Sequence, residues 1–145
     1  MKKILLVILL SMFCFANMEF SDPKPTFDNP RKVVYSLHTG DLKKINSIIG
    51  SMYNILKEYP SESLKIVVVA YGKGLRTLRK DFDKATILRI KSLMQYDVEF
   101  IGCKNTMDSM HWKKENFLDG VDFVQAGIAE IIEKKVAGYI GIDAY

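Results

Sequence analysis

The sequence is short of the residues that build crosslinked, metal-bound or repetitive proteins. It has 145 residues but only two cysteines, Cys14 and Cys103, and only two histidines, His38 and His111. No CxxC or HxxxH spacing occurs, so His38, His111 and Cys103 are not expected to bind a metal, and no cofactor is expected. Four prolines and nine glycines are too few for collagen or a low-complexity chain. A dinucleotide fingerprint is also missing: Gly72 and Gly74 supply its first two glycines, but Thr77 stands in the third place. There is no internal repeat. The charge is nearly balanced, with 21 basic and 17 acidic residues and a formal net charge of +4. No basic stripe runs along the chain, so a nucleic-acid partner is not expected. What remains is 48% apolar and 26% charged, the balance of an ordinary globular domain.

One long apolar run exists, and it lies at the N-terminus. Lys2 and Lys3 precede the uncharged stretch Ile4 to Phe15, and Cys14-Phe15-Ala16 puts small residues at the −3 and −1 positions of a cleavage site. This is the three-part pattern of a secretory signal peptide, expected to span residues 1–16. A membrane-spanning helix needs about 20 apolar residues, and this run is shorter. No stable span is therefore expected after cleavage, and the expected location is periplasmic or secreted. Cleavage removes Lys2, Lys3 and Cys14, and with them half the net charge and one of the two cysteines. Cys103 is then alone, so an internal disulfide is excluded, and intermolecular pairing or a free, reactive thiol is expected.

Residues 17–30 are polar and hold Pro23, Pro25 and Pro30, which reads as a flexible leader. The domain is expected over residues 31–145. Lys32–Leu37 reads as a strand, and Leu64–Ala70 as a strand covered on both faces because it is almost continuously apolar. Val98–Cys103, Val121–Val124 and Tyr139–Ile142 complete five strands. Between them, Leu42 to Tyr59 has helical periodicity that Pro60 stops. Ala85–Tyr96 reads as a helix with Ile87, Leu88, Ile90, Leu93 and Met94 inward, and Ile128–Val136 as another. A short helix is expected through Leu75 and Leu78, and a helical turn near Lys113–Leu118. Strands alternating with helices predict an α/β domain, a mostly parallel five-stranded sheet with helices on both faces.

In such a sheet, ligands bind outside the carboxyl ends of the strands, at the switch in strand order. His38–Asp41, Tyr71–Gly74, Cys103–Thr106 and Gln125–Gly127 occupy those ends. Cys103 has two readings, a small buried hydrophobe closing a strand or a nucleophilic thiolate. A thiolate needs positive charge or helix amides nearby, and Lys104, Lys73 and His38 are candidates. Asn105 lies in the same loop. Asp41 reads as a helix cap, with a catalytic carboxylate as the alternative. His111-Trp112 reads as a surface-packed lid, and Arg76, Arg79 and Lys80, beside Asp81 and Asp83, as a solvated helix face. Tyr71 and Trp112 would line any small-molecule pocket at the strand ends.

The segments Lys32–Tyr35 through Gly40-Asp41, Val67–Leu75, Val98–Thr106, Leu118–Val121 and Gly127–Ile131 together resemble the DsrE/DsrF-like family over roughly residues 31 to 142. The resemblance implies a flavodoxin-like three-layer α/β fold, assembly into trimers or hexamers, and relay of sulfur as a persulfide on a cysteine after the third strand, the position of Cys103. The family's familiar members are cytoplasmic, so the signal peptide sets this chain in an exported branch whose sulfur donor and acceptor are unknown. The rival expectations are an oligomeric binding module with a structural Cys103, and a small-molecule sensor pocket at the strand ends.

Overall fold

The computed structural model describes residues 18–143. The predicted signal peptide lies outside them. Five strands form one sheet: β1 (Arg31–Leu37), β2 (Leu64–Ala70), β3 (Glu99–Cys103), β4 (Val121–Val124) and β5 (Ile140–Asp143). All neighbours are parallel, in the order β4-β3-β2-β1-β5. The helices are α1 (Leu42–Glu58), α2 (Lys84–Gln95), α3 (Lys104–Ser109) and α4 (Gly127–Val136), with 3-10 segments at Gly72–Leu78 and Lys114–Asn116.

The two faces of the sheet are covered unequally. Tyr35 and Leu37 on β1, and Val68 and Ala70 on β2, point into the main core. There they join Ile45, Ile49 and Met52 of α1, Ile90 and Leu93 of α2 and Met107 of α3. The alternate residues Val34, Val67, Val69 and Ile101 form a smaller core on the other face, with Ile131 of α4 packed against it. The predicted three layers are present, but the second outer layer is a single helix. Burial is buffered by covering both faces, which is why β2 reads as an unbroken apolar run. One sequence expectation fails locally: Leu88, assigned to the inner side of α2, is 60% exposed, and Thr86 is buried in the first turn instead.

Local signals explain the helix limits. Asp41 caps α1, its Oδ1 accepting from Lys44 N at 2.9 Å, and Asp83 caps α2 by accepting from Thr86 N at 2.8 Å. Residues 18–30 have no helix or strand, yet they lie on the domain: Phe20 packs on Tyr59 with ring centroids 4.9 Å apart, and Arg31 donates to Ser21 O at 2.7 Å. Among the described residues no helix is long and apolar enough to cross a membrane.

Candidate functional site

Adjacent strands β3 and β4 send their chains to opposite faces of the sheet. β3 leads into α3, whose Met107 lies in the main core, and β4 leads into α4, whose Ile131 lies against the smaller one. This divergence opens a crevice at the carboxyl ends of the two strands. Cys103 is the last residue of β3, paired with Val124 at the end of β4, and so stands at the crevice. It is also the N-cap of α3, a position whose side chain faces the free amides of the first helical turn.

The thiol is 5% exposed. Burial is the largest single influence on its acidity and pushes the pKa up. Four donors outweigh it together: the Gly127 N–H that opens α4, the Thr106 hydroxyl, and the Thr106 and Asn105 N–H groups of α3. The net result is a thiol held below its ordinary pKa. These amides do not close a cap hydrogen bond to the neutral thiol, which donates to Gln125 O over 3.8 Å. Their contribution is to the charged form.

The crevice is built around two details. At Gly127 a Cβ would stand 3.2 Å from Cys103 Cβ, 3.2 Å from Tyr71 Cβ and 3.3 Å from Val69 Cγ1, so a glycine lets the start of α4 lie close to the sulfur. Thr106 Oγ1 accepts from Gly72 N at 3.0 Å, which fixes the hydroxyl and leaves its proton for the sulfur. Asn105 N donates to Gln125 O at 3.0 Å, and Gln125 Nε2 to Asn105 Oδ1 at 2.6 Å, tying α3 to the turn after β4.

The profile of the DsrE/DsrF-like family matches residues 37–142, from the end of β1 into β5. The chain belongs to the DsrE/DsrF-like family. Among solved structures it is similar to a protein of unknown function, MTH1491, from Methanobacterium thermoautotrophicum. That match has 27% identity and a TM-score of 0.72, over 78% of this chain and 98% of the other. The ychN protein from E. coli matches at 12% identity and a TM-score of 0.62 over the same shares, which shows a common fold. No curated protein matches.

Cys103, the residue expected from sequence to carry the chemistry, stands at this crevice. The other residues singled out from sequence sit nearby in different roles. His38 is exposed and stacks on Tyr71 at 5.8 Å, and Tyr71 OH pairs with Ser36 Oγ at 2.9 Å. Asp41 is occupied as the α1 cap. Lys104 is the exposed first residue of α3, and Lys73 lies in the 3-10 segment against Gly40. The groups that lower the Cys103 pKa are amides and a hydroxyl, and neither lysine is among them. Thr106 and Gly127, which the sequence placed at the strand ends without a role, act through contacts that only the fold creates. Among the described residues no cluster of three or more His, Cys, Asp or Glu is arranged to hold a metal.

Proposed function

We propose that this family member is an exported sulfur carrier that accepts sulfane sulfur on Cys103 as a persulfide. The observation that carries the reading is the thiol at the β3/β4 crevice, held below its ordinary pKa by facing amides and a hydroxyl. In the transfer, the Cys103 thiolate attacks the outer sulfur of a donor persulfide R–S–SH. An Sγ–S bond forms, the donor S–S bond breaks, and its electron pair leaves on the donor thiolate, so no external oxidant is consumed. The amides of Asn105, Thr106 and Gly127 hold the attacking charge before the step and the persulfide anion after it. The signal pattern at residues 1–16 supports the exported setting.

A second reading rests on the 5% exposure of Cys103: a binding module in which the sulfur only fills space. Polysulfide treatment of the native protein, followed by intact mass and peptide mapping, separates the two. The carrier gains sulfur at Cys103, whereas a packing cysteine gains none until the protein is denatured. The pH dependence has a definite sign. Because the folded pKa lies below the unfolded one, the thiolate stabilises the fold in full above the ordinary thiol value, and that contribution is lost as pH falls through the folded value. Alkylation of the native thiol is therefore expected to stay fast at pH values where a free thiol has already slowed. A rate profile matching that of a free cysteine counts against the carrier.

The protein is also proposed to act as a homo-oligomer, in keeping with the family resemblance. Ile128, Ile132 and Val136 recur at every fourth position of α4 and are 60%, 54% and 78% exposed. This stripe faces away from the sheet, and a second copy of the chain is its proposed cover. Ile132→Lys with Val136→Lys is expected to lower the mass seen by light scattering to that of one chain while leaving the circular dichroism intact. An unchanged mass places the contact elsewhere.

A further inference from the structure

Apart from the thiol, an open cleft of about 490 Å³ lies beside the 3-10 segment Gly72–Leu78. One wall is cationic, with Lys73, Arg76 and Arg79. The spacing of three is the reason. In a 3-10 helix, residues three apart eclipse one another, so Lys73 and Arg76 stand in one row and Arg79 follows just past its end. An ordinary α-helix would fan them apart. Arg76 is exposed, as expected of a solvated helix face, whereas Arg79 is only partly so.

Phe82, Met110 and Trp112 add apolar surface to the same lining. Trp112 is delivered by the closure of α3. His111 takes a left-handed φ of 55°, and Trp112 N donates to Met107 O at 2.9 Å. A non-glycine residue there is strained by roughly 1 kcal/mol or more. The indole meets Phe117 edge-on at 6.0 Å, and the Arg79 guanidinium lies over it at 4.6 Å. Asp81 does not neutralise the whole row, since both its oxygens are engaged by Arg79 at 2.6 and 2.8 Å. Lys73 and Arg76 are exposed and form no ion pair among the described residues. Asp81 also lines the cleft and feels the charge of Arg76, but with Arg79 holding both its oxygens the lining keeps a cationic excess beside the indole.

We propose that this cleft binds a small organic anion, an acidic group on a flat apolar body, with the acidic group at Lys73 and Arg76 and the body against Trp112. The site is independent of the Cys103 chemistry. Trp112 is the chain's single tryptophan, so its fluorescence reports the cleft alone. Titration with phenyl phosphate or benzoate is expected to give a saturable change, and the tighter of the two identifies the acidic group as phosphate or carboxylate. Phenol, which lacks the charge, is expected to give none. Arg76→Gln is expected to weaken binding at least tenfold while the Cys103 alkylation rate stays that of the parent protein. The proposal is overturned by the absence of a saturable change with either anion, by equal binding of phenol or inorganic phosphate, or by unchanged affinity in both Arg76→Gln and Lys73→Gln.

Discussion

Gly74→Ala is expected to lower the melting temperature by roughly 10 °C or more, or to leave no folded protein to measure. At Gly74 a Cβ would lie 2.1 Å from the carbonyl oxygen of Leu37, 2.5 Å from its carbon and 2.8 Å from His38 Cα. All three atoms are backbone, so no side chain can rotate out of the way. The chain there is held from both sides. Leu37 O accepts from Tyr71 N at 3.1 Å, and Gly74 N donates to Tyr71 O at 3.1 Å. Carbon and oxygen need well over 3 Å, so the end of β1 and the 3-10 segment must separate by about 1 Å. Leu75 and Leu78, both fully buried, would be drawn out of the main core with it. Displacements of this kind cost roughly 3 kcal/mol or more, against a total stability of about 5–15 kcal/mol. Thermal denaturation followed by circular dichroism measures the loss. Gly40→Ala is the control, because a Cβ there comes within 3.3 Å of the Lys73 side chain and no nearer than 3.9 Å to its backbone oxygen, and should melt close to the parent protein.

Cys103→Ser is expected to abolish sulfur uptake completely and yet cost no stability. Residue 103 caps α3, and serine is a favoured cap whose oxygen can accept from the amide of the third helical residue, here Thr106, while Asn105 N stays with Gln125 O. The oxygen binds that donor better than a neutral thiol does, so a melting temperature equal to or above that of the parent is the expected companion result. Uptake that persists in the serine variant places the chemistry elsewhere. Thr106→Val grades the same effect. It keeps the shape, removes the hydroxyl from both Gly72 N and the sulfur, and raises the thiol pKa. With roughly 1 kcal/mol lost from the charged form, alkylation near neutrality should slow about fivefold. An unchanged rate profile would mean that the Asn105, Thr106 and Gly127 amides alone hold the charge.

The sheet was legible because its strands carry strong local signals. β2 and β4 lie where the apolar runs place them, and β1, β3 and β5 differ by a residue or two at their ends. Helix α3 was legible only as a helical turn opening after Cys103, not in its extent. Its six residues, Lys-Asn-Thr-Met-Asp-Ser, contain weak helix formers and no periodic apolar face. It is held instead by the anchored residue Met107, by the tie from Asn105 to the turn after β4, and by the closure at His111. The same division runs through the site. The position of Cys103 could be read from the end of a strand, and amides were among its expected partners, but which amides serve it could not be read. The sequence offers lysines and a histidine as the nearest sources of charge, whereas the fold supplies uncharged donors, one from Gly127 and others from Asn105 and Thr106. Those donors come from peptide dipoles fixed in direction, and such directions emerge only once α3 and α4 are placed on opposite faces. The row of cations at Lys73, Arg76 and Arg79 was hidden for a related reason, since its alignment depends on the pitch of a segment whose residues fit α and 3-10 helix equally well.

The lone helix on the smaller face gives the thiol an energetic coupling to its surroundings. One end of α4 supplies an amide at the sulfur, while its outer side carries the bare aliphatic stripe. Lifting this ten-residue helix uncovers Cys103 and withdraws a donor in the same event, leaving the α1 and α2 side packed. The sulfur and the stripe are therefore thermodynamically linked. On the proposed reading, a partner that grips Ile132 and Val136 would hold α4 down and shield the thiol, and loading of Cys103 would alter the affinity at that outer surface by the same factor.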